Sequence, residues 1–200
     1  MKKVAIVLGT RPEIIKLAPI IRECQRRNLP FTIIHSGQHY DENLDKTFFE
    51  ELELPMPNHN LHIGSAREQL ILMTEKLAPI LVSERPDIVF VQGDTNTALA
   101  ASIVASRLGI TLAHVEAGLR SYDRTMPEEP NRLIADQLAD FLFCPTEVQK
   151  NILIKEGFEP EKIFVVGNTI VDSLNTSIGL AKNRLHLLEK HGVNPVEFFL

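Results

Sequence analysis

A chain of 200 residues, 44 % of them hydrophobic, is long enough to close one substantial core and leaves little room for a second complete domain. Its net charge of −5 argues against a surface built to hold nucleic acid, which needs a clustered basic excess. Two cysteines, Cys24 and Cys144, are too few for a disulfide framework and wrongly spaced for a zinc site, so a reduced, cytoplasmic setting is expected.

Met1-Lys2-Lys3 has the basic look of a leader, but Gly9 and Arg11 interrupt the apolar run Val4–Leu8 too early for a signal segment or a membrane span. That run is expected to be a strand, and no membrane association is expected. Further runs rich in Val, Ile and Phe place strands at 3–8, 31–35, 87–91, 111–115, 140–144 and 163–166, alternating with amphipathic stretches. The pattern predicts an α/β fold with a Rossmann-like parallel sheet and helices on both faces. In the first helix Ile14, Leu17, Ala18, Ile21 and Cys24 share a face; Pro12 suits its first turn and Pro19 is expected to bend it. A second helix is expected to start at Ser65-Ala66-Arg67-Glu68, a capping box, and to bury Leu70, Met73, Leu77 and Leu81. Thr146 to Gln149 open another helix in the same way, and loops are expected at 55–60 and 118–127. After Gly167-Asn168-Thr169 a helical run reaches about His191, and residues 196–200 read as a new strand. The expected division is a Rossmann-like domain over 1–170, then over 171–200 a helix and the start of a linker or a truncated second domain.

Polar residues gather where the strands end. Gly9 to Glu13 open a helix with a guanidinium in its first turn and Lys16 further in, which suits an anion such as a diphosphate; a capped surface helix with two solvated cations fits equally. Walker and dinucleotide spacings are both absent. Asp94 follows a buried strand and precedes Thr95-Asn96-Thr97, so it suits an N-cap, a catalytic carboxylate or both. Glu116 is placed to bind a hydroxyl or move a proton, or simply to pair with His114 or Arg120. Glu128 and Glu129 suit the first turn of a helix as well as they suit catalysis. Gln38 and His39 are ligand-binding candidates or plain loop residues. His59, His62, His186 and His191 lack the pairing of a metal site, so no metal is expected.

Six segments, G-T-R-P-E-x-x-K at 9–16, S-G-Q-H at 36–39, G-D-T at 93–95, H-V-E-A-G-L-R-S at 114–121, P-E-E-x-N-R at 127–132 and G-N-T-x-x-D at 167–172, together resemble the non-hydrolysing UDP-N-acetylglucosamine 2-epimerase family. Each is weak alone; their order and spacing carry the likeness, and the chain resembles that family's N-terminal half. The resemblance implies one half of a GT-B-like fold, two Rossmann-like domains facing across a cleft. It also implies interconversion of UDP-N-acetylglucosamine and UDP-N-acetylmannosamine by elimination and re-addition of UDP, without nicotinamide or metal. On that likeness the catalytic carboxylates correspond to Asp94, Glu116 and Glu128, and the substrate contacts to Arg11 and Lys16. Gln38 and His39 correspond to a pair that binds a second substrate molecule in bacterial members, although Tyr40-Asp41-Glu42 depart from the residues usual there. The family's T-x-H-R-x-E-N segment and its uridine-binding residues have no counterpart in this sequence, so a missing C-terminal domain is implied and the isolated chain is expected to be inactive. A homodimer is implied as well. A hydrolysing relative, or a non-catalytic nucleotide-sugar binding module, are the competing expectations.

Overall fold

In the computed structural model of this chain the described residues are 2–38, 42–64 and 68–182, with backbone alone for 42–45. Their strands are β1 (Val4–Leu8), β2 (Phe31–His35), β3 (His59–Asn60), β4 (Ile88–Gln92), β5 (Thr111–Val115), β6 (Phe141–Cys144) and β7 (Ile163–Val165). They form one parallel sheet in the order β3-β2-β1-β4-β5-β6-β7. The chain moves outward from β1 through β2 to β3, then returns to the other side of β1 as β4. The crevice at that reversal, beyond the carboxyl ends of β1 and β4, is where a sheet of this kind leaves room for a ligand.

The helices are α1 (Arg11–Arg26), α2 (Glu42–Glu51), α3 (Gln69–Glu84), α4 (Asn96–Arg107), α5 (Glu128–Leu138), α6 (Glu147–Lys155) and α7 (Thr169–Lys182). Alternation along β1 sorts the two cores: Val4, Ile6 and Leu8 pack with α1 and α2, whereas Ala5 and Val7 pack with α3 and α4. All five residues expected on the inner face of α1 are buried, as are Met73, Leu77 and Leu81 of α3, while Leu70 is half-buried. Full burial of such side chains is worth roughly 1.5–3 kcal/mol each, which outweighs indifferent local propensity.

Several boundaries differ from the expected ones. Strand β3 falls inside the expected loop at 55–60: it has no apolar run, and Asn58 clips it to β2 by donating its backbone N–H to the Ile33 carbonyl (2.9 Å) and accepting from Ile33 N (2.8 Å) at its side chain. Helix α2 was not marked by the sequence pattern. Helix α3 starts at Gln69 after Glu68, with no side-chain cap, so the expected Ser65 start is not its first turn; 65–67 lie outside the described residues. Its Gln69 side chain donates to the Gly64 carbonyl (2.5 Å) and the Gln38 carbonyl (3.2 Å). Thr146 does cap α6, accepting from Val148 N at 3.1 Å. The expected helix after Thr169 is described to Lys182, and the expected strand at 196–200 lies outside the described residues.

Helix α1 runs on through Pro19. Proline cannot donate to the carbonyl four residues back, that of Ile15, and the Ser173 hydroxyl of α7 donates to it instead at 2.5 Å. Ser173 is buried, so the gap left by one proline becomes the docking point of a helix distant in sequence. Ser173→Ala should leave that carbonyl without a donor and lower unfolding stability by about 1–3 kcal/mol in urea titration. Unchanged stability would mean that water reaches the Ile15 carbonyl.

Candidate active site

The loops after β1, β4 and β5 lie side by side because those strands are adjacent. In the first of them Thr10 is the extended N-cap of α1, and Glu13 folds back over it. Glu13 Oε2 accepts from Gly9 N (3.0 Å) and the Thr10 hydroxyl (2.9 Å), and Oε1 accepts from the Thr95 hydroxyl (2.7 Å). Thr95 in turn accepts from Ala98 N at 3.0 Å and caps α4. One buried carboxylate thus joins the loops after β1 and β4. Burial raises the Glu13 pKa to about 7 against the opposing pull of the Thr95, Thr10 and Gly9 donors. The motif at 9–16 contains Glu13, but nothing in its spacing marks it as buried.

A second brace crosses the same crevice. Ser36 Oγ lies 2.7 Å from Thr97 Oγ1, and Gln38 Oε1 accepts from Thr97 N (3.1 Å) and Thr97 Oγ1 (2.8 Å). The approach requires glycine at position 9, where a Cβ would stand 1.9 Å from Ser36 Oγ and 2.4 Å from Thr97 Oγ1. Gln38 therefore sits at the start of α4, while His39 lies outside the described residues.

Glu116 is the hub of the site. Its backbone is left-handed (φ 70°), which takes it out of the strand alternation and away from both expected partners. Its carboxylate instead accepts from Lys16 Nζ at 2.7 and 3.0 Å, from Asn168 Nδ2 at 2.9 Å and from Gln92 Nε2. Lys16, an expected anion contact, is thus held by a carboxylate from the loop after β5, and Asn168 brings the segment after β7 to the same point. His114 and Arg120, the expected partners, both bond Asp136 of α5 instead.

Asp94 is not the cap of α4, because Thr95 takes that role with its own hydroxyl. The Asp94 carboxylate pairs with the Arg132 guanidinium, and its carbonyl accepts from Asn131 Nδ2 at 2.9 Å. Two consecutive residues of α5 therefore hold it. A Cβ at Gly93 would lie 3.9 Å from Glu116 Oε2, so the residue before Asp94 borders the Glu116 cluster. The two glutamates opening α5 separate cleanly. Glu129 is buried and accepts from Ser121 N (2.9 Å), Ser121 Oγ (2.8 Å) and Tyr122 N (3.0 Å), pinning the loop after β5, whereas Glu128 is exposed. Burial would raise the Glu129 pKa, but the Ser121 and Tyr122 donors and Arg132 hold it below the ordinary range. Arg11, the first residue of α1, is also exposed.

The arrangement offers ionic and hydrogen-bonding groups of both signs along one sheet edge: Lys16, Arg11 and Arg132 for an anion, Asp94, Glu116 and Glu128 for hydroxyls or protons. Gln92, Asn131, Arg132 and Asn168 join the expected residues; the last three lie within the motifs noted above, and Gln92 is marked only as the polar end of an apolar strand. No group of three or more His, Cys, Asp or Glu among the described residues is placed to hold a metal ion, and none of the described helices is long and apolar enough to cross a membrane.

Comparison with known proteins gives a consistent picture. The profile of the family described as UDP-N-acetylglucosamine 2-epimerase matches residues 22–200. A UDP-N-acetylglucosamine 2-epimerase of Methanocaldococcus jannaschii is 57 % identical over 182 residues, which are 90 % of this chain and 50 % of that protein. The crystal structure of the M. jannaschii UDP-GlcNAc 2-epimerase in complex with UDP-GlcNAc and UDP superposes with a TM-score of 0.83 at 59 % identity, covering 86 % of this chain and 48 % of the other. The UDP-GlcNAc-bound epimerase of Neisseria meningitidis has a TM-score of 0.83 at 35 % identity, with 96 % and 53 % covered. The chain spans about half the length of the curated relatives it matches, and its sheet is one half of a GT-B-like architecture.

Glu13 supplies a test of the brace between the first two loops. Its pKa rises from 4.5 to about 7 on folding, so its contribution to stability is full below about pH 4.5 and is lost as pH rises through 7. The stability difference between the wild type and Glu13→Gln should shift by about 3 kcal/mol between pH 4.5 and 8, read from urea midpoints. A pH-independent difference would show that the three donors keep Glu13 ionised throughout.

Proposed function

This chain belongs to the UDP-N-acetylglucosamine 2-epimerase family, and on that premise we propose that it forms one wall of an active site interconverting UDP-N-acetylglucosamine and UDP-N-acetylmannosamine. The observation that carries the reading is the Glu116 cluster at the sheet's reversal point, where Lys16, Gln92 and Asn168 converge on one carboxylate beside the Asp94 loop.

Elimination of UDP requires removal of a weakly acidic C2 proton and stabilisation of charge developing on the departing diphosphate. Arg11 and Lys16, at the start of α1, face the second need. An ammonium group has three N–H donors, and Lys16 places two contacts on Glu116, so one donor is left for a phosphate oxygen without breaking the pair. Asp94, Glu116 and Glu128 serve proton movement and stabilise the oxocarbenium-like state. Exposed Glu128 and Arg11 are free to reach substrate, whereas Glu129 is committed to its loop. Gln38, bonded to Thr97 at the start of α4, is assigned to substrate binding, and His39 is assigned with it from the motif alone.

The second wall comes from the other half of a protein of the relatives' length, and the assembled enzyme works in the cytoplasm as a homodimer, in keeping with the family likeness. Half a cleft buries only part of a nucleotide sugar, so this chain alone binds it weakly and does not turn it over.

The full-length protein supplied with UDP-N-acetylglucosamine should give a UDP-linked product by nuclear magnetic resonance. Release of UDP and free N-acetylmannosamine would instead identify a hydrolysing enzyme. Asp94→Asn and Glu116→Gln should each lower kcat by about 1,000-fold or more; near wild-type rates would return both residues to structural roles. Submicromolar binding of UDP-N-acetylglucosamine by the 200-residue chain alone, measured by calorimetry, would overturn the shared-cleft part.

A further inference from the structure

Beneath the Asp94 and Glu116 loops lies a buried group of charges. His114 of β5 is 0 % exposed and is bonded at both ring nitrogens: Nδ1 lies 2.6 Å from Asp136 Oδ1, and Nε2 lies 2.8 Å from the Gly93 carbonyl oxygen. A peptide carbonyl can only accept. Asp136 Oδ2 accepts from Arg120 Nη1 (2.7 Å) and Gly118 N (3.2 Å), so the Asp136 carboxylate is surrounded by donors and also acts as an acceptor toward the ring. With Asp136 kept a carboxylate by the Arg120 guanidinium, both ring contacts are hydrogen bonds only if each nitrogen carries a proton, that is, if His114 is an imidazolium.

The charges alternate outward from that point. Arg120, its side chain 1 % exposed, continues from Asp136 to Glu156 with bonds of 2.9 and 2.6 Å. Burial of single charges would be strongly unfavourable, and this alternation satisfies each in turn. The groups facing His114 are Asp136 of α5, the Gly93 carbonyl after β4 and Arg120 from its own loop; the Cys144 thiol of β6, near Asp136, stays neutral because burial and that carboxylate push its pKa up to about 12. Burial would lower the His114 pKa, but Asp136 and the Gly93 carbonyl outweigh it and hold the ring above its ordinary range.

The network ends on the two loops that carry the carboxylates. Gly93 directly precedes Asp94, and Gly118 follows Glu116 by two residues. Both glycines have left-handed backbones, φ 71° and 81°, and at Gly118 a Cβ would stand 2.8 Å from the Gln149 carbonyl oxygen. A neutral ring has one N–H and would have to release either Gly93 or Asp136. We propose that His114 is a positioning residue: as an imidazolium clamped between Asp136 and Gly93 it fixes the loops of Asp94 and Glu116 relative to each other. The catalytic half of this inference rests on the reading that those carboxylates act on substrate; the protonation state does not.

Full-length protein labelled with ¹⁵N-histidine tests it directly. Long-range ¹H–¹⁵N spectra of the wild type should show both His114 nitrogens protonated from pH 6 to 8, and one unprotonated nitrogen at pH 7 would overturn the proposal without recourse to any variant. In Asp136→Asn the ring should become neutral at high pH, with kcat falling about 10- to 100-fold and acquiring a new pH-dependent limb while KM changes less than about threefold. A merely structural role would lower the melting temperature and leave the kcat–pH profile unchanged. Wild-type kinetics in Asp136→Asn alongside loss of turnover in Asp94→Asn would overturn the positioning role and leave the reading of the site intact.

Discussion

Parallel pairing of β1 with β4 is the contact on which the rest of the site depends. Because β2 already occupies the other side of β1, the chain leaves β1 in one direction and returns in the other, and the helices that follow β1 and β4 begin on either side of a crevice. The groups of the site enter from the loops after β1, β4 and β5, from α1 and α5, and, for Asn168, from the segment after β7. Two braces hold it to width, the Glu13–Thr95 bond and the Gln38–Thr97 pair, and both end on the first residues of α4. Glycine at position 9 is what permits the second of them.

The acidic residues of this edge are chemically unlike one another because their surroundings differ. Glu13 is enclosed, faces neutral donors and has its pKa raised to about 7. Glu129 and Asp136 are equally enclosed but face amides and cations that hold them low. Glu116 and Asp94 are each paired with a cation, Lys16 and Arg132, beside the crevice. Glu128 is open to solvent. A single sheet edge therefore presents enclosed carboxylates that brace loops and more open ones paired with cations or facing solvent, set apart by what surrounds them.

Burial, rather than proximity in sequence, decided which pairs form. Glu116 and Arg120 are four residues apart and suited to pairing on paper, yet a left-handed turn at Glu116 sends the two side chains apart, one to Lys16 and the other into the interior with Asp136. Thr95 rather than Asp94 caps α4 for a similar local reason: the hydroxyl nearer the helix reaches the Ala98 amide, which leaves the aspartate for Arg132. The short β3 escapes any periodicity because two residues contain no period, and its place is set by Asn58 bonding to β2.

The sequence by itself determined the alternating strands and helices, the buried faces of α1 and α3, and the concentration of polar residues at strand ends, since periodicity and apolar content act locally and are written in consecutive residues. Six spaced motifs were enough to indicate the family. Only the tertiary structure decided that Glu13 is buried, that Asn168 and Lys16 meet on Glu116, that Asn131 and Arg132 hold Asp94, and that His114 is clamped at both nitrogens. Those facts depend on segments separated by as many as 100 positions being brought within 3.0 Å by sheet order, and no local pattern encodes which distant donor will face which buried acceptor.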